Sequence, residues 1–109
     1  MNTTDKTIGI IGLGPVGMTL AVHLQDAGCN VIICDNDPIK TNRIRNEGIL
    51  LENVIHRKAK FNTIYSTAAE LLQTNPDYVI IALKTYQVDA IIKDVPPENT
   101  SVFICAQNG

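Results

Sequence analysis

The chain alternates short, unbroken apolar runs with longer stretches compatible with helices. Thr7–Ile11 (TIGII), Asn30–Cys34 (NVIIC), Asp77–Leu83 (DYVIIAL) and Ser101–Ala106 (SVFICA) are continuously apolar rather than alternating. Runs of this kind form strands buried on both faces, as in a parallel sheet covered by helices. A helix is expected from about Pro15 to Ala27, with Pro15 at the first helical position and Gly28 as its stop. A second covers about Pro38–Asn46, capped by Asp37 and ended near Gly48. Thr67 caps a third, with Glu70 three residues on as its capping-box partner. A fourth covers Gln87–Lys93 and ends at Pro96-Pro97. In the middle, Ile49–Glu52 and Arg57–Asn62 read as an antiparallel hairpin, and Ile64–Ser66 as a short strand returning to the main sheet.

Strands alternating with helices predict an α/β domain with helices on both faces of the sheet. Right-handed crossovers then set the strand order 3-2-1-4-5. The expected fold is therefore Rossmann-type: a doubly wound, mainly parallel sheet with an inserted β-hairpin, as in the first part of a dinucleotide-binding domain.

Length and charge narrow the function. The 109 residues make one domain, and 45% apolar with 18% charged residues fits a folded chain. Nine Lys+Arg against eleven Asp+Glu leave a net charge of −2, so the basic field that nucleic-acid binding needs is missing. With no Trp and five aromatics, stacking platforms for bases are not expected either. Thr7–Gln25 carries no formal charge, but Gly9, Gly12, Gly14, Pro15 and Gly17 break it, so neither a signal peptide nor a membrane span is expected. Three cysteines without a CxxC pair suggest free thiols and a reducing, cytoplasmic setting. In the expected sheet, Cys34 and Cys105 lie ~14 Å apart, too far for a disulfide. No Cys/His spacing resembles a metal site.

The chemistry begins at Gly12-Leu13-Gly14-Pro15-Val16-Gly17, which fits G-x-G-x-x-G between an apolar strand and a helix. Gly12 permits the tight turn, Gly14 lets the backbone approach a pyrophosphate, and Gly17 lets the helix pack closely on the strand. The helix start adds free N–H groups and partial positive charge for the phosphates. Asp35 follows the second strand, 21 residues after Gly14, where an acid accepts hydrogen bonds from the adenosine ribose. Asn36 adjoins it. A carboxylate there repels a 2′-phosphate and favours NAD(H) over NADP(H). Against this, six of the nine Lys+Arg lie between Lys40 and Lys60, and Lys40 and Arg43 are placed where they could meet a phosphate.

Leu83 ends the strand Asp77–Leu83 and Lys84 directly follows it at the carboxyl edge of the sheet, where ligands of such folds bind. A lysine there can charge-stabilise a carboxylate or a developing alkoxide. Asn108 follows the last strand at the same edge, and its amide can both donate and accept.

IGLGPVG near the start, RIRNEGILLE after the second helix, ALKTYQVDAI after the fourth strand and the closing QNG together resemble the ketopantoate reductase (2-dehydropantoate 2-reductase) family. The resemblance runs over essentially the whole chain. Its most specific parts are the K-x-x-Q pattern (Lys84, Gln87) and Asn108-Gly109. It implies an NAD(P)-dependent oxidoreductase that reduces a 2-keto acid to a 2-hydroxy acid, of the kind used in pantothenate and coenzyme A synthesis. It places Lys84 and Asn108 at the nicotinamide and substrate end of the site, with Gln87 among the cofactor contacts. Many family members use NADPH and carry an arginine where this chain has Asp35. The resemblance also implies a longer protein, a homodimer in its full-length form, of which residues 1–109 are an amino-terminal dinucleotide-binding fragment. The helical substrate domain with its proton-donating lysine would follow. Two other readings stay open at this point: another NAD(P)-dependent hydroxyacid dehydrogenase, and an NAD(H)-sensing module without chemistry.

Overall fold

A computed structural model describes residues 6–51 and 57–106. The strands are β1 (Thr7–Ile11), β2 (Asn30–Cys34), β3 (Ile49–Leu51), β4 (Arg57–Ala59), β5 (Ile64–Tyr65), β6 (Tyr78–Ile81) and β7 (Val102–Cys105). The helices are α1 (Pro15–Asp26), α2 (Pro38–Glu47), α3 (Ala68–Gln73) and α4 (Thr85–Lys93). Five strands form one sheet in the order β5-β2-β1-β6-β7, all neighbours parallel. This is the expected 3-2-1-4-5 arrangement. Strands β3 and β4 pair antiparallel outside it, with Ile49 opposite Ala59, as the inserted hairpin.

The unbroken apolar runs are explained by burial on two sides. Successive strand residues point to opposite faces, and the core divides accordingly. Ile8 and Ile10 of β1, Val31 and Ile33 of β2 and Ile80 of β6 pack on one face with Val22 of α1. Ile11, Ile32, Val79 and Ile81 pack on the other with Leu71 and Leu72 of α3. Burying one such aliphatic side chain contributes about 1.5–3 kcal/mol, so the alternation along three strands supplies both faces of the domain at once.

The helix ends follow their sequence signals. Asp37 accepts from the N–H groups of Ile39 (3.0 Å) and Lys40 (3.4 Å) at the start of α2. Thr67 Oγ1 accepts from the Glu70 N–H at 3.2 Å and donates to the Glu70 carboxylate at 2.9 Å. Helix α4 starts two residues before the expected Gln87, for a reason found at the site. Strand β6 is shorter than Asp77–Leu83, but single ladder bonds continue past both ends: Val102 N–H to Asp77 O (3.0 Å) and Ala82 N–H to Ile11 O (2.9 Å). Cys34 and Cys105 sit on β2 and β7 with β1 and β6 between them, and all three cysteines are free. No helix of the described residues is long and apolar enough to cross a membrane.

Candidate functional site

Strand β1 lies at the centre of the sheet, with β2 on one side and β6 on the other. The chain leaves β1–β2 and β6–β7 in opposite directions, which opens a crevice at the carboxyl ends of β1, β2 and β6. Gly12 through Val16 of the glycine motif border it. Gly12 has φ +100, a left-handed conformation natural only to glycine. A Cβ there would stand 2.6 Å from the Ala82 carbonyl oxygen. Gly17 is buried where α1 crosses the loop, and a Cβ on it would collide with the Gly12 carbonyl oxygen. Around Gly14 the situation is reversed: a Cβ would meet nothing within 4 Å.

That open space lies at a helix start. Gly14 is the N-cap of α1, Pro15 takes the first helical position, and the first helical bond runs from Met18 N–H to Gly14 O at 2.9 Å. The Val16 and Gly17 N–H groups therefore precede the helical ladder. No acidic residue stands in this first turn. A backbone that can be approached closely, with N–H groups and the positive end of a helix aimed outward, fits a pyrophosphate.

Asp35 forms the next wall. Its Oδ2 accepts from the Leu13 N–H at 2.8 Å and its Oδ1 from the Asp37 N–H at 2.9 Å. Lys40 Nζ stands 3.6 Å from Oδ2; its side chain is 37% exposed and that of Asp35 10%. Arg43 is exposed on α2 and does not line the crevice. Of the two α2 cations, only Lys40 borders the site.

The third wall is the turn from β6 into α4. Gln87 Oε1 accepts the Lys84 N–H at 3.0 Å, and the Gln87 N–H donates to Lys84 O at 2.8 Å. This closed turn lets α4 begin at Thr85 and gives the K-x-x-Q spacing a structural role. Lys84 itself is exposed and borders the crevice.

Two adjoining cavities occupy the crevice. The larger, about 410 Å3, runs from Leu13, Gly14 and Val16 past Asp35 and Lys40 to Lys84. Pro15, Asn36 and Leu83 also border it, and so does Ala106 beyond β7. The smaller, about 320 Å3, shares Asp35, Leu83 and Gln87 but is otherwise mostly apolar, walled by Ile11, Cys34, Ala68 and Ile91. Tyr86 stands exposed at its mouth. This apolar compartment has no sequence signal, because its walls come from four separate elements and the loops between them and share no motif. Burial, with the charges of Asp35 and then Glu70 adding to it, pushes the Cys34 thiol up to about 12.

Gly12 through Val16, Asp35, Asn36, Leu83, Lys84 and Gln87 are thus brought to one crevice, while Gly17 acts from beneath it. Asn108 lies outside the described residues. No cluster of three or more His, Cys, Asp or Glu among the described residues could hold a metal ion.

Comparison with known proteins places this geometry. The protein solved from Enterococcus faecalis and assigned as a 2-dehydropantoate 2-reductase superposes with a TM-score of 0.76 and 29% identity, over 94% of this chain and 34% of its own. D-mandelate dehydrogenase, solved with NADH and anilino(oxo)acetate, superposes with a TM-score of 0.77 and 21% identity over the same shares, a likeness of fold. Prephenate dehydrogenase [NADP(+)] of Saccharomyces cerevisiae is 30% identical over 94 residues, 86% of this chain and 18% of the yeast enzyme. The chain spans about a third of those solved proteins and under a quarter of the curated relatives it matches. The family model for ketopantoate reductase PanE/ApbA matches residues 8–109. Since that match takes in every strand of the sheet, the glycine loop and the Lys84 turn alike, the chain belongs to the ketopantoate reductase family.

Proposed function

We propose that these residues are the nicotinamide-dinucleotide-binding part of an oxidoreductase that reduces a 2-keto acid to a 2-hydroxy acid, with NADH as the preferred cofactor and NADPH as the alternative. The observation that carries the reading is the unfilled space over Gly14, in a crevice that Asp35 and Lys84 also border. The glycine loop and the start of α1 would hold the pyrophosphate. Asp35 would accept from the adenosine ribose hydroxyls, and the apolar compartment beside it suits a flat, weakly polar base. The bound cofactor supplies the hydride. Lys84 would fix and polarise the keto acid, a role that the family resemblance extends to Asn108, and orientation with preplaced charge would be the chain's main contribution.

The family's substrate, 2-dehydropantoate, is the first to test. Relatives about three times as long as this chain support a second, helical domain that brings the proton donor. The preference for NADH rests on Asp35, whose carboxylate opposes a 2′-phosphate; the NADH-bound structure of D-mandelate dehydrogenase shows that a protein of this fold takes NADH. Paired calorimetric titrations with NADH and NADPH test it directly. Tighter NADH binding is expected, and Asp35→Arg should move the NADPH-to-NADH affinity ratio at least about tenfold toward NADPH. An unchanged ratio refutes Asp35 as the selector. Turnover of the full-length protein with ketopantoate against a panel of other 2-keto acids decides the substrate.

A further inference from the structure

The structure assigns Asp35 a second role, that of a positioning residue which latches the glycine loop in its binding conformation. This inference rests on the reading of the crevice as a dinucleotide site. Two consecutive loop residues are tied to two consecutive residues at the end of β2. Gly12 N–H donates to Cys34 O at 2.9 Å, and Leu13 N–H donates to Asp35 Oδ2 at 2.8 Å. The first tie is backbone and survives any side chain. The second depends on a carboxylate 22 residues away in sequence.

The latch is built to hold still. Oδ1 is tied by the Asp37 N–H at 2.9 Å, and Asp37 in turn caps α2 through Ile39 and Lys40. Lys40 Nζ approaches Oδ2 at 3.6 Å. The carboxylate is thus anchored on one oxygen to the start of α2 and on the other to the loop. Leu13 is fully buried while the carboxylate is in place, so its N–H is tied to Asp35 and not to solvent. A charge-assisted bond at this distance is among the stronger kinds available. The next residue after Leu13 is Gly14, whose open face forms the cradle. A loop released at Leu13 would lose the placement of that cradle, and with it the grip on the pyrophosphate that NADH and NADPH share.

A ribose ligand and a loop latch make different demands. A residue that only binds ribose hydroxyls matters to a nucleotide that has them and to no other. A latch matters to every nucleotide with a pyrophosphate. The test compares NADH with its analogue built on 2′,3′-dideoxyadenosine, in the unaltered protein, Asp35→Ala and Asp35→Asn. The expected result is that Asp35→Ala weakens both ligands, the dideoxy analogue by about tenfold or more. Asp35→Asn keeps the shape but has one acceptor oxygen for two N–H groups, so it should fall between. Hydrogen exchange without any ligand supplies the second readout. The Leu13 amide should exchange at least about tenfold faster in Asp35→Ala, while Ile10 in the adjoining strand keeps its protection.

If Asp35→Ala weakens NADH but leaves the dideoxy analogue unchanged, Asp35 is a ribose ligand alone and the latch is refuted. If Leu13 exchange does not change, the latch is refuted as well. If the unaltered protein binds neither nucleotide, the dinucleotide reading falls and the positioning role falls with it.

Discussion

A methyl group on Gly17 would collide with the carbonyl oxygen of Gly12, the first and last glycines of one motif. The obstacle is backbone, in the same peptide plane as the Leu13 N–H that donates to Asp35 Oδ2 at 2.8 Å, so turning it aside would break that bond. Gly17→Ala should therefore push α1 off the loop and cost about 1–3 kcal/mol or more of stability. Urea denaturation of the variant against the unaltered chain measures it. A midpoint within error of the original would show that the loop yields more easily than its bonding implies.

Gly14→Ala should do the opposite. Its φ of −76 is open to any residue, and nothing lies within 4 Å of the added carbon. Loss of a good N-cap residue and gain of a stiffer backbone nearly offset, so stability should stay within about 1 kcal/mol. Dinucleotide affinity should nonetheless drop by about tenfold or more, because the methyl group occupies the cradle. Denaturation and calorimetry on one sample separate the two effects.

Gln87 holds the backbone of Lys84, and its replacement separates cap from charge. Gln87→Ala should cost about 1 kcal/mol through the lost Lys84 N–H bond. Gln87→Glu retains an acceptor and should keep the stability, yet it adds a negative charge to a crevice already bordered by Asp35 and Asp37. Its NADH affinity should fall, more at low salt than at high salt. Titrations at two ionic strengths test this.

The buried Cys34 thiol gives an alkaline signature. Its value in the folded chain, about 12, lies above the ordinary 9.0, raised by burial and then by the charges of Asp35 and Glu70. The folded state thus holds a proton that the unfolded state gives up first. The stabilisation is complete below about pH 9 and is lost as pH rises toward 12. Cys34→Ala should flatten that part of the stability profile, measured by denaturation at closely spaced pH values. In thiol labelling near neutral pH, exposed Cys105 should react first and Cys34 last.

The main sheet is legible in the sequence because burial on two faces leaves continuous apolar runs, and TIGII and NVIIC show them to the residue. Helix caps are legible for a local reason: Asp37 before Pro38 and Thr67 before Glu70 act within three or four residues. The start of α4 is not, and it lies two residues before the expected one. Thr85 and Tyr86 are weak helix formers, and the K-x-x-Q pattern, read only as a family mark, hides the bond from Lys84 N–H to Gln87 that pulls them into the helix. Spacing from the glycines picks out Asp35, but only as a ribose acceptor. Its contact with Leu13 crosses 22 residues and depends on how tightly β1 and β2 lie together. The apolar compartment is invisible for the same reason, since Cys34, Ala68 and Ile91 become neighbours only in the folded chain.

The central position of β1 governs when this crevice can first exist. One neighbour, β2, is the next strand in the chain, with Ile8 beside Val31. The other is β6, where Ile8 lies beside Tyr78, 70 residues later. Proteins are made from the amino terminus at roughly 5–20 residues per second, so β1 waits ~4–14 s for its second partner. Throughout that interval one side of the central strand has unpaired N–H and C=O groups. The wall formed by Leu83, Lys84 and Gln87 comes later still. No nascent chain short of α4 contains the crevice, so its own ligand cannot shelter the early sheet.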